Sequence, residues 1–464
     1  MWRTPLIRKN RLAARLALYL SPVLFAFVVW GVVEVAGRLG IDMGWHGEDF
    51  SEIGSVQLLR EYLRIDSSYP DGNEIPAAEF LARHLEAAGI PATVERLGRR
   101  NANVWAILEG EDPEALVLHN HVDVEPADEP DWRHPPFGGV LDPPFIYGRG
   151  AFDMKSYAIV QLLAMLEMKE RGGLRRSLIF LGTGSEETDS RMGTIWLLRE
   201  HPELVSRFWA VLTEGGAVEA IHVEEVKYWG TEFGQKRFAD VWVCDASRER
   251  LELLRQDLLA AEAPVHGPSE PVARFLERYA ATRDNPEIRR ALRHPRRLPD
   301  EVDSSVLPPY LLAMLRDEVV PFPIEPAPGG GYRMRVILHM LPDTPLEEAW
   351  NELLAGRLEG FSYTVDLTHG ASPPSSLDHE AFRTIDRFMA ERLPEVPHGP
   401  LFVPWSATDS RFFRAAGIPS YGYSPFLILS MNAIKMKGAN ERIAAPAFVD
   451  GAELYVGLIE RLVG

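Results

Sequence analysis

The sequence predicts an α/β protein: a mainly parallel sheet, an inserted ferredoxin-like α+β domain, and an N-terminal transmembrane helix. Three observations predict it. Short apolar runs alternate with helical patterns between residues 103 and 213, the pattern of a layered α/β domain. A β-α-β…β-α-β layout then occupies 236–367, which fits a small ferredoxin-like unit. Near the N-terminus, Leu16–Val33 is a run of eighteen residues without a charge.

That run is near the lower length limit for a spanning helix, and Val35 and Ala36 extend it past Glu34. Arg3, Arg8, Lys9, Arg11 and Arg15 precede it, which places the N-terminus in the cytoplasm and the main body across the membrane. The rival reading is a cleaved signal peptide and a secreted protein, because Glu34-Val35-Ala36-Gly37 offers a small residue at a candidate cut site. The long basic segment and long span favour an uncleaved, single-pass anchor.

Helical periodicity follows at 51–65 and 76–88, the second with Pro76 near its start and Gly89 at its end. Residues 103–108 and 115–119 read as strands, 156–170 as a helix, 177–183 as a buried strand, 191–200 as a helix and 208–213 as a strand. The inserted set comprises a strand at 236–244, an amphipathic helix at 246–261 capped near Ser247, and strand–helix–strand at 332–341, 345–354 and 361–367. Between its halves lies a polar, Arg- and Pro-rich stretch, 280–309. A helix at 378–392 and a helix–turn–strand at 411–423 return to the first domain. The boundaries are therefore 1–45 for the anchor, 46–231 and 373–464 for the main domain, and 232–372 for the insert.

The 464 residues carry 49 basic and 67 acidic side chains, a net charge of −18. Residues 1–45 hold six basic and two acidic side chains, so the remainder carries −22. Such a body lacks the basic face that nucleic acid requires. One cysteine, Cys244, excludes an intramolecular disulfide framework and a Cys-rich metal site. Ser185 follows a strand but lacks the Gly-x-Ser-x-Gly elbow, there is no HExxH motif, and Gly182 and Gly184 are followed by no Lys-Ser/Thr pair.

Functional groups of open α/β sheets gather beyond the carboxyl ends of the strands. Four motifs occupy such places. His121 and Asp123 follow the strand at 115–119, two residues apart and so on one side of an extended chain. Asp153 lies in Gly148-Arg149-Gly150-Ala151-Phe152-Asp153-Met154-Lys155, a turn leading into a helix. Glu186 and Glu187 follow the buried strand, and Glu214-Gly215-Gly216 follows the strand at 208–213. Carboxylates with an imidazole suit Zn²⁺ and similar divalent ions, and a spare Glu suits a general base for an acidified water.

With these motifs the chain resembles the M20 metallopeptidase family, which includes aminoacylase and glutamate carboxypeptidase enzymes. The resemblance runs from about residue 51 to the end and includes Thr408-Asp409-Ser410-Arg411 and Tyr421-Gly422. It implies a zinc-peptidase domain with a lid that often also forms a homodimer surface. It implies two metals, usually zinc: His121 and Glu214 on one, Glu187 on the other, and Asp153 bridging. Asp123 would orient His121, and Glu186 would be the general base and later proton donor. The implied reaction hydrolyses an amide or peptide bond beside a free carboxylate, in a peptide or an N-acyl amino acid.

The chain departs from that family at two places. Lys437 occupies the position of the last His ligand, in Lys437-Gly438-Ala439-Asn440-Glu441-Arg442. An ammonium has no lone pair to offer a metal. Lys437 is therefore expected to stand in for the second cation, leaving one zinc where the family has two; the rival is that it turns outward. The first lid strand ends Val243-Cys244-Asp245-Ala246-Ser247 without the family's His, and His339 replaces an Arg before Leu341-Pro342. His339, Asn440 and Arg442 are weak candidates for substrate binding, and Trp229, Arg237 and Trp405 for lining a pocket. The alternative function is a non-catalytic member of the fold that binds a ligand through a degraded site.

Overall fold

A computed structural model describes residues 49–70, 72–298, 307–366, 372–433 and 436–464. The predicted span Leu16–Val33 lies outside the described residues; among those described, no helix is long and apolar enough to cross a membrane.

Among the described residues sixteen strands are formed in chain order. They are β1 (Ala92–Leu97), β2 (Asn101–Leu108), β3 (Asp112–His121), β4 (Val140–Asp142), β5 (Phe145–Tyr147), β6 (Arg176–Thr183), β7 (Phe208–Thr213) and β8 (Ala217–His222). Then come β9 (Glu225–Gln235), β10 (Arg237–Asp245), β11 (Glu318–Pro326), β12 (Tyr332–Met340), β13 (Ser362–Asp366), β14 (His398–Val403), β15 (Ser420–Gly422) and β16 (Arg442–Ala444). The main sheet has nine strands in the order β1-β2-β6-β3-β7-β15-β9-β14, with β8 on β9. Its centre, β6-β3-β7-β15, is parallel. The expected mainly parallel sheet is mixed at its margins, because β1–β2 and β8–β9 are joined by short turns and pair antiparallel.

Both faces of this sheet are covered. Successive side chains of a strand point to opposite faces. On β3, Leu116 and Leu118 join a core with Leu178, Phe180 and Leu212, while Ala115 and Val117 join another with Ile179, Leu181 and Val211. The first face is covered by the helix Lys155–Arg171 and, beyond it, by Ala445–Val463. The latter helix buries Phe448, Ala452, Tyr455, Ile459 and Leu462, one stripe at helical spacing. The second face is covered by Thr194–Glu200 and Ser410–Ala415, through Leu197 and Phe413.

A second sheet has the order β11-β12-β10-β13, all pairs antiparallel. Its connectivity is β-α-β-β-α-β, and its helices Arg248–Ala260 and Leu346–Trp350 cover one face. Ser247 caps the first of these by accepting from the Arg250 N–H. Pro321 and Pro323 lie on β11, an edge strand, where a missing N–H breaks no internal ladder. A single residue, Lys236, separates β9 of the main sheet from β10 of the second. Its ammonium is buried and pairs with Glu318 at 3.1 Å. Beyond the helix Arg248–Ala260, the segment between β10 and β11 leaves the second sheet. Its helix Glu270–Tyr279 packs Val272, Phe275 and Leu276 into the main core beside β14.

A small sheet, β16-β5-β4, completes the frame. It brings the turn that carries Lys437, Asn440 and Glu441 beside the turn that carries Arg149 and Asp153.

Candidate metal centre

Three adjacent parallel strands deliver the site. His121 ends β3, Glu186 and Glu187 follow β6, and Glu214 follows β7. Asp153 enters from the turn before the helix Lys155–Arg171. His121 Nε2 lies 3.0 Å from Asp153 Oδ1 and 3.9 Å from Glu214 Oε1. One donor atom from each of these three residues lies within 4.8 Å of the others, and His121, Glu186 and Glu187 form a second such group. Nitrogen and carboxylate oxygens converging at that distance are a donor set that suits a divalent metal ion.

The imidazole is held from behind. Its Nδ1 lies 2.9 Å from the Asp123 carbonyl oxygen, so Nδ1–H donates there and Nε2 is the nitrogen that faces the carboxylates. Asp123 therefore orients His121 chiefly through its main chain; its carboxylate oxygen is 3.6 Å from the ring. That carboxylate does something the sequence did not reveal. Oδ1 accepts the Glu186 N–H at 3.1 Å and Oδ2 the Glu187 N–H at 2.9 Å. One aspartate thus sets both the imidazole and the backbone of the paired glutamates. Asp123→Asn supplies one acceptor and turns an amide NH₂ against an N–H. We expect a loss of about 10–100-fold in metal affinity or kcat, read by competitive zinc titration and steady-state assay.

Other carboxylates that sequence reading missed complete the support. Glu441 is buried; its Oε1 accepts the N–H of Phe152 at 2.8 Å and of Asp153 at 3.1 Å, and its Oε2 pairs with Arg149 at 2.6 Å. Glu74 accepts the N–H of Ala102 and Ser185, and so pins the start of the glutamate loop. Asp409 accepts from Ser190 and Thr194, both at 2.6 Å, and pins its end. Gly193 closes the loop so tightly that a Cβ there would lie 1.9 Å from the Gly184 carbonyl oxygen.

Charge in the cluster is out of balance without a cation. Burial pushes Glu186 up to about 7, and burial with the Asp153 and Glu186 carboxylates pushes Glu187 up to about 9. Burial and Asp153 raise Glu214 well above the carboxylate range. Burial disfavours a charged His121, yet hydrogen bonds to Asp123 and Asp153 and the carboxylates of Glu214 and Glu186 outweigh it and raise it. Glu187 Oε1 is buried without a hydrogen-bond partner. Buried carboxylates that resist ionisation fit a site built around a positive ion.

Lys437 enters from the opposite side. Its Nζ donates to Glu187 Oε2 and lies 3.4 Å from Asp153 Oδ2. Its backbone is left-handed (φ +57°), and its carbonyl oxygen accepts from Arg149 at 3.2 Å.

The remaining sequence candidates lie elsewhere or are engaged in the frame. Asn440 accepts the Arg133 N–H at 2.6 Å and donates to the Asp131 carbonyl oxygen. Arg442 stacks on Phe145 and Tyr147 and reaches Asn432. His339 is buried on β12 against Phe238, and burial holds it down at about 3. Trp229 is buried and donates to the Ser424 carbonyl oxygen. Arg237 donates to the Thr344 carbonyl oxygen. Trp405 is exposed and donates to Glu318 at 3.0 Å.

Known proteins share this arrangement of chain. Residues 117–461 match the sequence profile of a family described as peptidase family M20/M25/M40. Aminoacylase-1 of Mus musculus is 26% identical over 431 residues, which span 89% of this chain and 96% of that protein. An M20 family metallo-carboxypeptidase of Sulfolobus solfataricus superposes with a TM-score of 0.68 at 14% identity, covering 88% of this chain and 98% of that one. Human carnosine dipeptidase 1 superposes with a TM-score of 0.65 at 15% identity, covering 94% and 98%. At those identities the two solved structures establish a shared fold. The profile runs from within β3 to the C-terminal helix and takes in every residue of the cluster, so the chain belongs to peptidase family M20/M25/M40.

Proposed function

We propose that this protein hydrolyses an amide or peptide bond beside a free carboxylate, in an N-acyl amino acid or a short peptide, with zinc as cofactor. One observation carries the reading: His121, Asp153 and Glu214 converge as a donor set while Glu186, fixed by its own N–H on Asp123, lies beside them. The similarity to mouse aminoacylase-1 over 89% of the chain supports the substrate class. A bound divalent ion would polarise the scissile carbonyl and acidify a water. Glu186 takes the proton of the attacking water and returns it to the leaving nitrogen. Its burial keeps its proton affinity near neutrality, which suits both transfers. His121, Asp153 and Glu214 hold the ion, and Asp123 keeps the base and the imidazole in register.

The test is an assay of the full-length protein in detergent against N-acetyl amino acids and dipeptides. Turnover is expected to vanish with a chelator and return with Zn²⁺. Undiminished turnover after complete metal removal would sink the reading.

We propose as well that residues 1–45 tether the body to a membrane, with the N-terminus in the cytoplasm. Five basic residues ahead of the uncharged run Leu16–Val33 support it. A sodium carbonate wash is expected to leave the chain in the membrane fraction. Quantitative release, or a mature N-terminus near Gly37, would replace the tether with a cleaved signal.

A further inference from the structure

The second ion position of the cluster does not fit a metal. It would need ligands from Glu187, from Asp153 and from residue 437. The last is a lysine, and its ammonium lies where the ion would have to touch both carboxylates. Nζ donates to Glu187 Oε2 and stands 3.4 Å from Asp153 Oδ2. An ammonium has three donors and no lone pair, so it competes with a metal for those oxygens instead of joining in its ligation. A second dication drawn to the same oxygens would also meet the lysine charge at close range.

The lysine is held in that place. The carbonyl oxygen of Lys437 accepts from Arg149, Arg149 pairs with Glu441, and Glu441 accepts the Asp153 N–H. One buried network thus fixes the backbone of Lys437 and of the carboxylate it faces. The left-handed backbone at Lys437, followed by Gly438 and by Asn440 at φ +64°, turns the segment back toward β16. The first donor set keeps its own oxygens: His121 Nε2 faces Asp153 Oδ1 and Glu214 Oε1, whereas the lysine approaches Asp153 at Oδ2.

We propose that Lys437 is a built-in cation that replaces the second metal ion, so that the cluster is mononuclear and its single ion sits on His121, Asp153 and Glu214. The inference rests on the metal-dependent reading of the cluster given above and deepens it. The ammonium offsets the charge of Glu187 and Asp153 permanently, and only one ion has to be acquired for the site to be complete.

The experiment counts metal rather than turnover. Full-length protein is equilibrated with Zn²⁺, freed of loose ions on a chelating resin, and measured by mass spectrometry of metal against protein. About one zinc per chain is expected for the wild type and about two for Lys437→His, whose imidazole restores a ligand. Loaded with Mn²⁺ instead, the wild type is expected to give the six-line spectrum of an isolated ion, and Lys437→His a spin-coupled pair. Two retained zincs or a coupled manganese pair in the wild type overturn the inference and leave the hydrolytic reading standing. One zinc in a folded Lys437→His variant also overturns it. No retained zinc in either protein overturns both readings. If Lys437→His does not fold, the wild-type stoichiometry and spectrum decide the matter alone.

Discussion

Glu186→Gln is expected to lower kcat by about 10²–10⁴-fold while bound zinc is unchanged. The substitution keeps shape and removes only proton affinity. The main chain at residue 186 still donates to Asp123, so the glutamate loop keeps its support. The proposed ligands His121, Asp153 and Glu214 are untouched. A neutral amide cannot take the proton of a water at neutral pH, and it has none to return to a leaving nitrogen. Turnover and metal content, measured on one preparation, check the prediction. Equal turnover by the two proteins excludes Glu186 as the base. A joint loss of zinc and turnover makes Glu186 a ligand instead.

The second large effect is on stability. Arg414 and Glu232 form an ion pair at 2.6 Å with both side chains fully buried. Arg414 also donates to Ser375 and to the Ser420 carbonyl oxygen, which ties the start of β15 to the chain ahead of the helix Glu380–Arg392. Glu232 lies directly under the glycine turn after Glu214; a Cβ on Gly422 would come 2.9 Å from its Cβ. Arg414→Met leaves a buried carboxylate without a counter-charge, at a cost of about 3–5 kcal/mol. Replacing both partners, Arg414→Met with Glu232→Leu, removes the stranded charge and is expected to recover much of that loss. Urea midpoints of the single and double variants make the comparison. A double variant weaker than the single one would show that hydrogen bonds, not the buried charge, dominate.

Sequence and structure agree where chemistry repeats at one kind of place. His121, Glu187 and Glu214 are legible because each closes or follows an apolar run, and a strand end in an open α/β sheet is a predictable address. Glu441, Glu74 and Asp409 are not legible. Each is a single carboxylate far along the chain from the atoms it holds; Glu441 and Asp409 stand in recognisable motifs, but only buried hydrogen bonds reveal what they do. The double use of Asp123 is hidden for the same reason: spacing places its carboxylate near His121, but the N–H groups it binds arrive from another strand. Strand β9 escapes because it is buried from Tyr228 to Gln235 and so loses the alternation that marks a half-exposed strand. The helices Glu270–Tyr279 and Ala445–Val463 carry clear apolar stripes, yet the first sits inside a stretch that the flanking strands assign to the insert. Only tertiary packing shows that it belongs to the main core.

The strand order also has a consequence for synthesis. In the main sheet β15 lies between β7 and β9, although some two hundred residues separate it from them along the chain. While the polypeptide grows from its N-terminus, every strand of the second sheet is made before β15 exists. The insert can therefore close around its own core early. The main sheet, by contrast, waits with an open slot between β7 and β9. Glu214 and the turn beside it acquire their final neighbours only when residues 420–422 arrive. A strand made late thus fills the slot beside Glu214.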